Sequence, residues 1–248
     1  MKAIRTTGYF LDPGLQRALE ESELGAFDMN GLLVNDEPFH LEAVNLALNH
    51  LGISLTETDW IERCVGRRLP ETLPAILAER NGHTDCSVMS LVESYRTHFM
   101  ELTSDRIKDA VRPGVLDIIY YLSGAGKKLA LVTSATMDLV QTIAGNEGID
   151  ALKFFDYVVT GDQIPDGRGK PNPDCYLMAA RRAGIDPSRC IGFEDAHSGV
   201  EALYNARMHS IAVPCQFTYG HDFSKADYVV QDLTRSTPVL GRKSQYKL

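Results

Sequence analysis

The chain has 248 residues, of which 44% are hydrophobic and 23% are charged, and its net charge is −8. This composition is typical of a globular protein that is long enough to bury a sizeable core, and no repeat or low-complexity segment interrupts it. The acidic balance argues against a nucleic-acid surface, and no apolar stretch approaches the length of a membrane span.

The five cysteines are scattered along the chain and odd in number. They form no close pair of the kind that binds zinc or cycles between thiol and disulfide, which suits a reducing cytosol. We therefore expect a cytoplasmic protein. The first 23 residues contain no apolar core of a signal peptide and are predicted to be an extension with one helix over 15–22.

The first predicted strand of the core is a short apolar run that stops at a carboxylate. Phe27 ends the run, Asp28 follows it, and Gly31 lets the backbone turn tightly. In an open parallel sheet, ligands bind just outside the carboxyl ends of the strands. Asp28 is therefore placed to act as a nucleophile or metal ligand, although most strand-end Asp residues only form turns.

From residue 38 to residue 110 the pattern is wholly helical. A first helix is indicated by apolar residues at helical spacing, and Gly52 is predicted to cap its carboxyl end. Further helices are predicted over 59–64, 70–80 and 88–102. Because this block follows directly after the first strand, we interpret residues 38–110 as an inserted all-helical cap domain.

From residue 111 onward, helices alternate with short apolar runs. Helices are predicted over 115–122, 137–147, 174–183 and 200–207, and strands over 129–133, 157–160, 190–195, 210–213 and 228–230. Continuous apolar strands that alternate with helices indicate a parallel sheet covered on both faces. The predicted fold class is therefore α/β, with a doubly wound parallel sheet formed by residues 24–37 and 111–248.

Polar residues suited to phosphate chemistry follow the other predicted strands. Thr133 and Ser134 could hold phosphate oxygens, although a simple helix cap is the favoured explanation when these residues are taken alone. Lys170 lies in a loop that is rigidified by flanking glycine and proline residues, which suits an anion clamp. Glu194 and Asp195 repel each other unless a cation lies nearby, and Mg²⁺ favours one or two carboxylates with waters and phosphate oxygens.

These motifs, in this order and with a helical insertion in the first gap, resemble the haloacid dehalogenase superfamily. The resemblance is to its group with a small helical cap, which includes β-phosphoglucomutase and sugar-phosphate phosphatases. It extends from about residue 24 to residue 233, and the matching segments are 27–31, 132–134, 169–174 and 192–200. It implies a Rossmann-like core, a small phosphorylated substrate and Mg²⁺ as cofactor.

The resemblance also implies roles for individual residues. Asp28 would attack phosphorus and form an aspartyl-phosphate, while Thr133 and Lys170 would bind the transferring phosphoryl group. The implied Mg²⁺ ligands are the Asp28 carboxylate, the main-chain carbonyl of Asn30 and Asp195, with Glu194 at or near the water shell.

Residue 30 departs from the family pattern, which has a second Asp there to protonate the leaving oxygen and later to activate water. Asn30 can do neither, and general acid–base catalysis is typically worth ~10²–10⁴ in rate. We therefore expect substrate and Mg²⁺ binding with weak turnover. Asn30 is either an engineered change that slows the reaction or a natural one, and the first is favoured because the other site residues are in place. Asn35, where many relatives have Asp, looks less disturbing.

We expect the cap to select the substrate. Gly66, Arg67 and Arg68 lie where relatives have a specificity loop, and either guanidinium could hold a second phosphate or a carboxylate, or be a solvated surface group. His40 matches a position that helps to couple cap closure to catalysis in the mutase, although a helix-surface His is more often incidental. His197 follows the acid pair and is expected to approach the substrate from its loop.

The favoured interpretation is a monomeric Mg²⁺-dependent phosphatase that acts on a small phosphorylated metabolite, with no nucleic-acid or membrane partner. The alternatives are a β-phosphoglucomutase-type phosphotransferase and a catalytically silent phosphometabolite-binding protein, which Asn30 permits. Phosphonoacetaldehyde hydrolase also lacks the second Asp, but its cap lysine has no evident counterpart near residues 66–68. A true haloacid dehalogenase needs no metal, and the acid pair at 194–195 speaks against it.

Overall fold

A mostly parallel sheet forms the centre of the computed structural model, which describes residues 8–65, 67, 69–80, 87–104 and 106–242. Its strands lie in the order β3-β2-β1-β4-β5-β6-β7. Their bounds are β1 Leu24–Phe27, β2 Lys128–Val132, β3 Tyr157–Val159, β4 Cys190–Glu194, β5 His209–Ala212, β6 Tyr228–Val230 and β7 Val239–Arg242. The predicted α/β fold class is confirmed.

The strand order reverses at β1. Strands β2 and β3 lie on one side of it, and β4 to β7 lie on the other. Ligand sites of doubly wound sheets lie at such a switch point. In the register of the sheet, Phe27 is aligned with Leu131 of β2 and with Phe193 of β4. The residues that follow these three therefore emerge together at one edge.

Helices cover both faces of this sheet and form the cap. The core helices are α1 Pro13–Glu21, α6 Val115–Gly124, α7 Met137–Ala144, α8 Asp174–Ala183 and α9 His197–Asn205. The cap helices are α2 Glu37–Leu48, α3 Glu57–Arg63, α4 Leu69–Glu79 and α5 Val88–Thr103. A 3₁₀ turn extends α2, and Gly52 then ends it with a φ of 68°, which is the left-handed conformation predicted for a helix C-cap.

Two predicted helices differ from the structure by three residues at one end. The helix predicted to end at residue 147 ends at Ala144, because the chain folds back so tightly that a Cβ on Gly148 would lie 2.1 Å from the carbonyl oxygen of Ile143. The last core helix begins at His197 rather than at residue 200. His197 is therefore the first residue of a helix and not part of a loop.

The amino-terminal segment packs against the core. Leu15 and Leu19 of α1 are fully buried, and the hydroxyl of Tyr9 donates a hydrogen bond to the carbonyl oxygen of Leu233 at 2.6 Å. The sequence pattern also missed β7, which pairs antiparallel with β6 at the edge of the sheet. Within the described ranges, no helix is both long and apolar enough to cross a membrane.

Two adjacent linkers join the cap to the core. The amide of Asn35 donates to the carbonyl of Ala110 at 2.7 Å, and the amide of Arg112 donates to the carbonyl of Leu33 at 3.0 Å. The guanidinium of Arg112 then donates to three main-chain carbonyls, of Gly31 at 2.7 Å, Val213 at 2.6 Å and Pro214 at 2.8 Å. Arg112 thus fastens the second linker to the loop that follows Asp28.

Replacing Arg112 with alanine should destabilise the protein, because three carbonyls lose a charged donor. We expect the free energy of unfolding in urea to fall by about 3 kcal/mol. Arg17→Ala is the matched control, since Arg17 is exposed and, among the residues that the structure describes, pairs with Glu21 on the same helix. Equal stability of the two variants would contradict an anchoring role for Arg112.

Candidate active site

Three buried carboxylates meet at the carboxyl ends of β1 and β4. Asp28, Glu194 and Asp195 each offer an oxygen within 4.8 Å of the others, an arrangement that can hold a metal ion. The amide of Asp28 donates to the carbonyl of Phe193 at 3.1 Å, so the pairing of the two strands continues to Asp28. The sheet register thus brings together acids that are far apart in sequence.

Two glycines make room for these carboxylates. Gly31 has a φ of +74°, and a Cβ there would lie 2.2 Å from the Oδ2 atom of Asp195. A Cβ on Gly199 would lie 1.9 Å from the carboxyl carbon of Glu194. Any larger residue at either position would therefore displace an acid.

Lys170 supplies the positive charge of the cluster. Its ammonium lies 2.5 Å from the Oδ1 atom of Asp28 and 2.7 Å from the Oε1 atom of Glu194, and it also donates to the carbonyl of Val132. Burial alone would lower the pKa of Lys170, but the carboxylates of Asp28 and Glu194 outweigh it and raise that pKa above its usual value. The lysine is therefore held in its charged form.

The charges of the cluster are unbalanced, since one ammonium faces three carboxylates. Burial raises the pKa of Asp28 to about 7, and Glu194 adds to the effect while Lys170 opposes it. Burial and the charge of Asp28 also raise the pKa of Asp195 well above its usual value. This excess of buried negative charge fits a divalent cation, which would stabilise the ionised carboxylates.

Tyr176 of α8 is a site residue that the sequence pattern did not reveal. Its hydroxyl donates a hydrogen bond to the Oε1 atom of Glu194, and the Lys170 ammonium lies 5.2 Å from the centre of its ring. The side chain is fully buried. The one sequence feature that could have identified Tyr176 is its position near the start of the helix that follows the Lys170 loop.

Thr133 and Ser134 follow β2 at the same edge. The hydroxyl of Thr133 accepts from the amide of Ala135 at 3.0 Å and donates to the Oδ1 atom of Asn30 at 3.4 Å. The cap residue of α7 is Thr136, so neither predicted residue is the helix cap that was the competing interpretation. Both residues line the cavity above the carboxylates.

Asn30 belongs to a buried polar network that reaches the cap. Its Nδ2 atom donates to the Oδ2 atom of Asp36 and lies 3.3 Å from the Nε2 atom of His40. His40 lies 3.2 Å from Asp36, and its Nδ1 atom lies 2.6 Å from the hydroxyl of Tyr95.

The competing interpretation of His40 as an incidental helix-surface residue is wrong, because its side chain is buried and stacks on Phe99 at 4.2 Å. Burial alone would lower the pKa of His40, but Asp36 outweighs it and raises that pKa.

A cavity of about 670 Å³ separates the cap from this edge of the sheet. Asp28, Asn30 and Lys170 line its core side. The charged residues on its cap side are Glu37, His40, Arg67, Glu71 and Arg96. The sequence pattern missed Glu37, Glu71 and Arg96, which look like ordinary helix-surface charges until the cap is folded.

Glu37 is a buried carboxyl group on the cap side of this cavity. It accepts a hydrogen bond from the indole nitrogen of Trp60 at 2.6 Å. Burial raises its pKa, although the nearby His40 opposes this effect.

Three of the predicted substrate-binding residues are not found in this cavity, because one lies elsewhere and two lie outside the residues that the structure describes. His197 does not line the cavity, which corrects the expectation that it approaches the substrate. It begins α9, its Nδ1 atom lies 2.7 Å from the carbonyl of Asp222, and its Nε2 atom lies 3.3 Å from Glu201 one turn along the helix. Gly66 and Arg68 lie outside the described residues.

Comparison with known proteins gives concordant matches. The family model described as haloacid dehalogenase-like hydrolase matches residues 24–207. Protein CbbY of Rhodobacter capsulatus is 28% identical over 220 residues, which cover 84% of this chain and 92% of that protein. The phosphorylated carbohydrates phosphatase of Thermotoga maritima is 30% identical over 189 residues, which cover 75% and 82%.

Among solved structures, a variant of CbbY from Rhodobacter sphaeroides in complex with xylulose-(1,5)bisphosphate aligns with a TM-score of 0.76 at 24% identity. The alignment covers 86% of this chain and 95% of that chain. At this identity the match establishes a common fold, in which a helical cap stands over the carboxyl edge of a parallel sheet.

Replacing Gly199 with alanine should weaken cation binding, because the added methyl group would push the Glu194 carboxylate away from Lys170 and Tyr176. We expect the affinity for Mg²⁺ to fall about tenfold or more in isothermal titration calorimetry. Gly124→Ala is the control, since a Cβ there would meet no atom within 4 Å. Unchanged affinity in a folded Gly199 variant would contradict this account of Glu194.

The raised pKa of Asp28 predicts that the cation-free protein loses stability as the pH rises. The unfolded chain releases this proton near the ordinary value of 3.8, whereas the folded protein holds it to about pH 7. We therefore expect the melting temperature in EDTA to fall between about pH 4 and pH 7, and to fall less in Asp28→Asn. In saturating Mg²⁺, the melting temperature of the native chain should depend less on pH. Identical slopes for the two proteins in EDTA would refute the assignment.

Proposed function

Because this chain belongs to the haloacid dehalogenase-like hydrolase family, we propose that it is a Mg²⁺-dependent phosphatase of a small phosphorylated metabolite, such as a sugar phosphate. The observation that carries the proposal is the arrangement around Asp28. A buried carboxylate is held by the Lys170 ammonium at 2.5 Å beside two further acids, at the edge of the sheet where the cavity opens. The carbohydrate phosphatase among the relatives supports a sugar phosphate as substrate.

The chemical step that this geometry supports is phosphoryl transfer to Asp28. Its carboxylate attacks phosphorus, the bond from phosphorus to the ester oxygen breaks, the leaving oxygen takes a proton from solvent, and an aspartyl-phosphate forms. Water then attacks the same phosphorus and gives up a proton to solvent, and cleavage of the bond from phosphorus to the Asp28 oxygen frees phosphate and regenerates the carboxylate. Lys170 orients Asp28 and offsets the charge of the phosphoryl oxygens, and the Thr133 hydroxyl donates to one of them.

The three acids would hold the cation. Mg²⁺ would be bound by the carboxylates of Asp28 and Asp195 and by the main-chain carbonyl of Asn30, with Glu194 at or near its water shell. When bound, the ion would neutralise charge on the phosphoryl oxygens. The excess of carboxylates over ammonium groups in this buried cluster supports such a site.

The cap would select the substrate through charged groups that face the cavity. Arg67 and Arg96 add positive charge to a wall that also carries Glu37 and Glu71, and either arginine could pair with a second anionic group of the substrate. Glu37 is placed to accept a hydrogen bond from a substrate hydroxyl. A sugar or polyol phosphate that also carries a second phosphate or a carboxylate offers both kinds of group.

Asn30 should make the reaction slow, since no proton can pass from an amide to the leaving oxygen.

A cytoplasmic location and a monomeric state are predictions that rest on the scattered cysteines and on the family resemblance. Each of the four described cysteines is a buried free thiol. The β-phosphoglucomutase-type alternative shares the same nucleophile and differs in the fate of the phosphoryl group.

The function can be tested by measuring phosphate release from a panel of sugar and polyol phosphates with Mg²⁺. We expect slow release by the native chain and its abolition in Asp28→Asn, while the exposed Asp138→Asn keeps the native rate. Conversion of a sugar phosphate into its isomer without free phosphate would favour the mutase. Binding of sugar phosphates with no turnover by any variant would favour a silent binding protein.

A further inference from the structure

Asp36 is a fully buried carboxylate at the junction with the cap. It follows residues 28–34, which we call the nucleophile loop because Asp28 is the proposed nucleophile. It precedes α2 as its N-cap residue, yet its side chain makes no hydrogen bond to the amides of that helix. An Asp at this position ordinarily accepts from the helix that it caps. Here the carboxylate is turned to the nucleophile loop instead.

The two oxygens of this carboxylate have different donors in that loop. Oδ1 accepts from the amide of Gly31 at 3.1 Å, and Oδ2 accepts from the Nδ2 atom of Asn30. The imidazole of His40 lies 3.2 Å from Oδ2. The carboxylate is therefore tied to the residue that stands two positions after the proposed nucleophile.

This contact sets the orientation of the Asn30 amide. An ionised carboxylate only accepts hydrogen bonds, so Asn30 has to turn its NH₂ group to Asp36. Its Oδ1 atom then points the other way, where the Thr133 hydroxyl lies 3.4 Å from it. A carboxylate at position 30 would offer no donor to Asp36 and would place two acids in a buried contact, which is unfavourable unless they share a proton.

We propose that Asp36 is a positioning residue that requires an amide at position 30, so that Asn30 and Asp36 are a matched pair of this chain. The pair holds the side-chain Oδ1 atom of Asn30 and the Thr133 hydroxyl together at the phosphoryl site. On this proposal Asn30 is a native partner of Asp36 rather than an isolated engineered change, because its amide supplies the donor that the buried carboxylate accepts. The activity part of the argument rests on the proposed phosphatase function.

The test compares the native chain with Asn30→Asp, Asp36→Asn and the double exchange Asn30→Asp/Asp36→Asn. The double exchange keeps one amide and one carboxylate in contact and reverses their order. We expect the melting temperature of Asn30→Asp to fall by about 3 °C or more and that of the double exchange to return close to the native value. Asn30→Asp/Asp138→Asn is the control and should show no such recovery.

Activity is measured with Mg²⁺ on two probes. p-Nitrophenyl phosphate has a leaving group that departs without a proton, whereas glucose 6-phosphate has an alkoxide that needs one. We expect the double exchange to hydrolyse glucose 6-phosphate about tenfold or more faster than Asn30→Asp, with a much smaller difference on p-nitrophenyl phosphate. A merely structural pair would change both probes alike.

The outcomes separate the two proposals. If Asn30→Asp alone keeps the native melting temperature and matches the double exchange on glucose 6-phosphate, the pairing is refuted. A double exchange that fails to fold also refutes it, whereas recovery of folding from an unfolded Asn30→Asp supports it. If no variant releases phosphate from either probe, the phosphatase proposal fails, and the melting temperatures still decide the pairing.

Discussion

Repulsion among the buried carboxylates of Asp28, Glu194 and Asp195 is the constraint on which the rest of the site depends. Water cannot screen these charges, so the protein has to supply compensation at short range. Lys170 supplies part of it, and its contacts to two of the acids fix the loop that carries it. The remaining negative charge would favour a ligand of high positive charge density, such as the proposed Mg²⁺.

The sequence predicted what depends on local pattern. The alternation of apolar runs with helices is enough to indicate a parallel sheet, and a polar residue directly after an apolar run marks its carboxyl end. Asp28, Thr133 and Glu194 were found in this way, and the sheet register places all three at one edge. The family resemblance then supplied their proposed roles, which the fold itself does not test.

What the sequence could not predict depends on contacts between distant segments. Tyr176 looks like any apolar-face residue of a helix until Glu194 is placed beneath it. His40 and Asp36 look like surface groups until the cap packs against the nucleophile loop. Helix α9 begins three residues earlier than predicted. His197 is its first residue and contacts Asp222 instead of lining the cavity.

The paired linkers determine how the cap can move. They run side by side and are joined by two main-chain hydrogen bonds, and Arg112 ties one of them to Gly31. A cap that is attached through two coupled linkers can turn about them but resists twisting. Because Asp36 lies where the first linker meets the cap and accepts from the side chain of Asn30, a movement of the cap would act directly on Asn30 and Asp36.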